Sequence, residues 1–157
     1  MFESIHPNIS LFLEKQTCAS ICCIDEQGNP YCFSCFYVFN NGDGILYFKS
    51  ALSAHHSPIL LKNPVVAGTV LPDKLNTLQV KGIQFEGELL PADHLLAKKA
   101  AAGYYKKNPA AVLIPGEIWT IRINHIKFTD NTLGFGTKIT WYRGEKELTN
   151  QKKPQLV

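Results

Sequence analysis

Apolar positions along the chain change period several times, and each change marks an element. After Pro7, residues Ile9, Phe12 and Leu13 recur at helical spacing, which predicts an amphipathic helix over residues 7–16. "TCASICCID" is small and β-branched, "EQGNP" is a turn, and "YCFSCFYVFN" is almost continuously apolar or aromatic, so these three stretches predict a hairpin. "NGDG" turns the chain into a third strand, "ILYFKS". Ser57-Pro58 has the form of an N-cap followed by proline at the first helical position, and Asn63-Pro64 ends the short helix that begins there. "VVAGTVL" is a fourth strand. In "VKGIQFEGELL" the pattern alternates strictly, with Ile83, Phe85 and Leu89 on one face and Gln84, Glu86 and Glu88 on the other. "PADHLLAKKAAAGYYKKNP" predicts the longest helix, capped by Asp93 and ending before Pro109. "GEIWTIRINHIKF" alternates again, with Trp119, Ile121 and Ile123 on one side, and "TKITWYR" adds a last short strand.

Strands joined in hairpins, with one small helix after the third and a longer one before the last, do not make a βαβ series. They fit a closed or split antiparallel barrel with peripheral helices. The 157 residues suit a single domain over 1–157, with a helical segment in residues 1–16 and a flexible, lysine-containing tail over 144–157.

Composition narrows the classes of function. No apolar run approaches the roughly 18 residues a bilayer crossing needs, so no membrane is expected as partner. The N-terminal residues carry an early Glu3 and no basic leader before their apolar positions, which places the protein in the cytoplasm. Five cysteines crowded between Cys18 and Cys35 make an odd count and a poor disulfide framework for such a chain, so reduced thiols are expected. The net charge of +3 comes from scattered lysines without a sustained basic stripe, and nucleic acid is not an expected partner.

Metal chemistry is the first idea that Cys32-x-x-Cys35 and His55-His56 invite. Strand geometry opposes it, because residues three apart on an unbulged strand face opposite ways, and the cysteines read better as small hydrophobes. No Gly-x-Ser-x-Gly elbow or papain-like cysteine setting occurs, and Gly134-Phe135-Gly136 lacks the βαβ context of a dinucleotide fingerprint. The segment "YFKSALSAHHSPILLKNP" differs. It unites hydroxyls at Ser50, Ser53 and Ser57 with two protonatable imidazoles and a helix start, features that suit a phosphate monoester. The same residues also fit a capped helix with solvated histidines, and local sequence leaves both readings open.

The order of the pieces resembles the FMN-binding split β-barrel of the pyridoxamine 5'-phosphate oxidase-like superfamily. The resemblance runs from Thr17 to Arg143. It rests on Gly28-Asn29-Pro30-Tyr31 entering the second strand, on Tyr47 to Val66 with its "y-f-x-S" strand, polar turn and "N-P-x-V", and on Gln84 to Gly87. "KGIQFEGEL" and "IKFTDNTLGFGTKITWYR" further resemble a small bacterial branch of that superfamily, for which no reaction is implied. The resemblance implies a mainly β fold with peripheral helices, a six-stranded antiparallel split barrel of the FMN-binding type. It also implies a homodimer with FMN in a groove at the subunit interface. Ser50, Ser53, His55 and His56 would receive the flavin phosphate, with the histidines standing where relatives carry an Arg-Lys or similar pair. Ser34 and Phe36 would face the isoalloxazine, and Gln84 would contact the flavin.

The substrate segment of the true oxidase has no match after Trp141-Tyr142-Arg143, so vitamin B6 oxidation is not expected. Lys127, Thr129, Asp130 and Asn131 belong to the branch motif, and a turn at Asp130-Asn131 accounts for them structurally. A flavin would carry the hydride chemistry, so no catalytic acid or base is assigned. Three functions compete: a flavin-dependent oxidoreductase acting on a small molecule, a non-catalytic flavin or haem carrier or sensor with His55, His56 or His125 as iron ligand, and a cofactor-less interaction module.

Overall fold

The computed structural model describes residues 4–134 and 136–144. Helix α1 (Pro7–Lys15) leads into strands β1 (Cys18–Ile24), β2 (Pro30–Asn40) and β3 (Ile45–Ser50). Helix α2 (His56–Lys62), strands β4 (Val65–Val70) and β5 (Lys81–Leu89), and helix α3 (Ala100–Lys107) follow. Strands β6 (Glu117–Asp130) and β7 (Lys138–Tyr142) complete the described chain. The expected tail falls, from residue 145 onward, outside the described residues.

All strand pairs are antiparallel, in the order β3-β2-β1-β4-β5-β6-β7, and β3 also pairs with β6. Six strands therefore close a barrel, and β7 lies outside the ring. This arrangement follows from the length of β6. One of its edges pairs with β5 from Ile121 to Asp130, while the other is divided between β3 (Glu117 to Arg122) and β7 (His125 to Thr129). Closure leaves few free strand edges, which protects a β-rich chain from edge-to-edge association.

Inward-facing residues alternate as the pattern predicts: Ile21 from β1, Phe39 from β2, Phe48 from β3, Ile83 and Phe85 from β5. The apolar stripe of α1, Ile9, Phe12 and Leu13, plugs one end of this interior. Tyr37 fixes the plug by donating its hydroxyl proton to Leu13 O at 2.6 Å. A second apolar layer lies outside the barrel, where Ala100 and Tyr104 of α3 pack on Val38, Ile45 and Tyr47. Gly103 lets the helix approach this closely, since a Cβ there would lie 3.0 Å from the Tyr47 ring.

Three details depart from the sequence expectations. The long helix begins at Ala100 rather than near Asp93, because Leu90 N is bonded to Thr120 O and the chain must turn there. His94 organises that turn: its Nδ1 accepts from Leu96 N and its carbonyl from Ala97 N and Lys98 N. Ser57 is not the cap of α2. It is fully buried within the first turn and donates its Oγ proton to Ala51 O at 2.7 Å. Finally, β6 carries a bulge. Glu86 pairs with His125 and Gly87 with Ile123, so Asn124 is an extra residue. The inward face accordingly passes from Trp119, Ile121 and Ile123 to Ile126 and Phe128.

Candidate functional site

The outer surface of β2, the end of β3 and the start of α2 meet below the 109–115 segment and enclose a pocket of about 270 Å³. Its walls carry Ser34 and Phe36 from β2, Lys49 and Ser50 from β3, His56 from α2 and Tyr104 from α3. Four sequence-predicted positions, Ser34, Phe36, Ser50 and His56, thus come together although they lie on three separate elements.

Each side chain is held in a definite way. His56 stacks face to face on Phe33 at 3.6 Å between ring centres and an interplanar angle of 8°. Its Nε2 lies 2.7 Å from Ser50 Oγ. Burial, reinforced by the neighbouring His55, pushes the His56 pKa below the ordinary imidazole value, so the ring is neutral at pH 7. Ser50 is tied down from behind, since Trp119 Nε1 donates to its carbonyl at 3.1 Å. Ser34 Oγ sits 3.2 Å from Ser20 Oγ on the neighbouring strand. Phe36 is 69% exposed and presents an uncovered aromatic face.

Lys49 supplies the pocket's cation, and sequence reasoning passed over it. Its Nζ donates to Tyr105 Oη at 2.8 Å and to Ala111 O at 2.7 Å, and lies 4.9 Å from the centre of the Tyr105 ring. Both acceptors are neutral, so its charge is not cancelled by an acidic partner in these bonds. One signal was available: a lysine inside the otherwise apolar strand "ILYFKS" has to be explained by a partner or a ligand. Its contacts with Tyr105 and Ala111, some sixty residues downstream, left no local trace.

Other predicted ligands lie apart from this pocket. Ser53 is exposed in the turn before α2, and His55 is exposed with its ring 4.6 Å from that of Tyr31. Gln84 is exposed on β5 in a polar row that crosses the sheet through register partners Ser34, Ser20, Thr69, Gln84 and Lys127. It stands three strand spacings from Ser34, about 14 Å along the sheet. His125, a candidate iron ligand, stacks on Tyr142 at 4.3 Å and has Nδ1 3.9 Å from a Glu86 carboxylate oxygen. Among the described residues, its Nε2 is buried without a hydrogen-bond partner. Cys35 packs against the barrel core while Cys32 is exposed, so the Cys-x-x-Cys pair faces opposite ways.

Asp130 of the branch motif has a structural role. Its Oδ1 accepts from Thr132 N at 2.9 Å and from Thr132 Oγ1 at 2.5 Å, and its Oδ2 lies 3.0 Å from Lys81 Nζ. Burial pushes the carboxyl up, but the bonds from Thr132 and Lys81 outweigh it and hold the group below the usual carboxylate range. No helix among the described residues is long and apolar enough to cross a membrane.

Several solved structures share this protein's fold at low sequence identity. A haem-binding protein from Mycobacterium smegmatis superposes with a TM-score of 0.69 at 13% identity, covering 83% of this chain and 55% of that one. The haem storage protein HutZ from Vibrio cholerae gives 0.58 at 15%, covering 90% and 96%. An FAD-binding protein from Mesorhizobium loti gives 0.58 at 18%, covering 80% and 95%. The fold is therefore the split barrel found in flavin- and haem-binding proteins. No family model matches the chain. In sequence it is 37% identical over 142 residues to a UPF0306 protein of Photorhabdus laumondii, covering 90% of this chain and 96% of the relative. Identity to YhbP, a UPF0306 protein of Escherichia coli, is 33% over 135 residues, covering 86% and 91%. With similarity of that extent along nearly the whole of each relative, the chain belongs to the UPF0306 family.

Proposed function

We propose that this protein binds FMN in the β2–β3–α2 pocket as a cytoplasmic homodimer and acts as a flavin-dependent oxidoreductase on a small molecule. The observation that carries the reading is the convergence of a lysine ammonium, Lys49, with the Ser50 hydroxyl and an open aromatic face at Phe36. That set suits a phosphate joined to a flat ring system. Lys49 and Ser50 are the phosphate donors, with the neutral His56 as hydrogen-bond partner, while Ser34 and Phe36 border the ring. The bound flavin would accept and pass on hydride; the protein's part is to fix its charged end and shield its face.

The homodimer accounts for what one chain leaves unfinished. A pocket of about 270 Å³ is slightly below the roughly 300–1,000 Å³ of small-molecule sites. Beside it Phe36, Val112, Leu113 and Ile114 are all more than half exposed, which favours coverage by a second copy. In that arrangement Gln84 reaches the flavin from the opposite subunit, since within one chain it stands too far along the sheet. Ser53 and His55, outside the pocket, would serve its rim.

Haem is the second reading. A neutral imidazole is the form that binds iron, and His56 is held neutral in the pocket. Structural neighbours named for haem binding share the fold. Equilibrating the protein with each cofactor, removing the excess by gel filtration and recording the visible spectrum distinguishes the cases. Co-eluting flavin bands support the proposal, a retained Soret band moves the assignment to haem carriage, and neither leaves a cofactor-less barrel.

A further inference from the structure

Cysteine is concentrated on the first hairpin, and the β1–β2 register sorts its thiols. Cys23 and Cys35 face the barrel interior. Cys18, Cys22 and Cys32 lie on the outer surface, and Cys22 is the direct cross-strand partner of Cys32. The type of pair can be worked out from the ladder. Tyr37 N donates to Thr17 O and Asp25 N to Asn29 O, so odd-numbered residues of β1 make the hydrogen-bonded pairs and even-numbered ones do not. Cys22 and Cys32 therefore form a non-hydrogen-bonded pair.

At such pairs the Cα atoms approach to about 4.5 Å, with the side chains on the same face directed toward each other. That separation falls inside the roughly 4.4–6.8 Å range that a disulfide spans. Interaction with the facing Cys22 side chain, followed by burial, raises the pKa of the Cys32 thiol. Cys18 cannot substitute, because four residues along a strand separate it from Cys22 by about 13 Å. With Cys32 exposed and Cys22 half-buried, a small reagent can reach the pair.

We infer that Cys22 and Cys32 are a reversible redox couple, cycling between a dithiol and a cross-strand disulfide by exchange with low-mass disulfides. The Cys22 thiolate attacks one sulfur of the small disulfide, forming a mixed disulfide and releasing one small thiolate. Cys32, giving up its proton, then attacks the Cys22 sulfur and expels the second. The chain loses two electrons and two protons, and the small disulfide gains them as two thiols. Exposed disulfides sit toward the oxidising, easily reduced end of the protein range, so the reverse reaction with a small thiol is accessible. The couple lies one outward position from Ser20 and Ser34, beside the pocket but independent of what fills it.

The test uses the full chain, reduced and freed of reductant, then equilibrated anaerobically in mixtures of oxidised and reduced glutathione. Acid quenching and alkylation precede intact-mass measurement and peptide mapping. The expected result is one Cys22–Cys32 disulfide per chain that appears with the oxidised form and is lost with the reduced form. Cys18→Ser leaves this behaviour unchanged, whereas Cys22→Ser and Cys32→Ser each stop at a glutathione adduct on the remaining cysteine of the pair. Alkylation of both thiols at every ratio, or a disulfide that joins Cys18 or a second chain instead, would overturn the inference. Mapping of the unaltered protein decides it even if a variant folds poorly.

Discussion

Lys49 and His56 give the same pocket a lysine ammonium and a neutral imidazole. The resemblance implies that two histidines stand where relatives carry a basic pair. Burial and the neighbouring His55, however, make His56 resist protonation, and the pocket's ammonium group comes from Lys49. Replacing Lys49 with Met should weaken FMN binding by roughly 10- to 100-fold, the worth of about 1.5–3 kcal/mol for a hydrogen bond to a charged group, measured by fluorescence titration. The titration of His56 has its own signature. Its folded pKa is depressed, so the unfolded chain takes up the proton first. The stability associated with the neutral ring is complete above about pH 6.5 and declines as pH falls toward the folded value. A His56→Gln variant should lack that part of the decline in urea melts between pH 7 and pH 5. An unchanged slope would show that His56 is not the group responsible.

The strands were legible because alternation in β5 and in the first half of β6 matches the inward faces directly, and α1 because Ile9, Phe12 and Leu13 lie on one stripe. Boundaries set by distant partners were not. The start of α3 depends on a Leu90–Thr120 bond, the burial of Ser57 on Ala51, and the β6 bulge on what Gly87 permits. A Cβ at Gly87 would stand 2.4 Å from Arg122 O and 3.1 Å from Ile121 Cγ2, and backbone cannot retreat as a flexible side-chain end does. Gly87→Ala should therefore cost about 1–3 kcal/mol, lowering the melting temperature by several degrees in calorimetry. The candidate site was half legible for the same reason. Ser50 and His56 sit in a segment with a local pattern of hydroxyls and imidazoles, and Ser34 and Phe36 were implied by the resemblance alone, whereas Tyr104 and Ala111 join them only through the packing of α3 and the segment after it. The turn at Asp130 offers a third test. Asp130→Asn keeps the acceptor for Thr132 but removes the charge paired with Lys81, for an expected loss of about 1 kcal/mol at pH 7. Because the folded pKa is lowered, the difference from the unaltered protein should be present above about pH 4 and vanish as pH falls through the folded value.

A barrel that closes six strands and leaves its pocket open beside exposed Phe36, Leu113 and Ile114 is, in the proposed homodimer, one half of a site. The homodimer and the cofactor are for that reason linked expectations. Light scattering should report two chains per particle, and Leu113→Glu, a charge placed in the apolar rim, should shift the particle toward one chain and lower FMN retention with it. Retention of FMN by a monomeric Leu113→Glu protein would separate the pocket from the dimer. The central claim, that the β2–β3–α2 pocket holds FMN by its phosphate, is tested most directly by titrating the reduced, full-length protein with FMN and with riboflavin, following flavin fluorescence. The account predicts saturable binding of FMN, near one per chain, and binding of riboflavin weaker by at least about tenfold, since only FMN offers Lys49 an anion. Equal affinity for the two, or no binding of either, would contradict it.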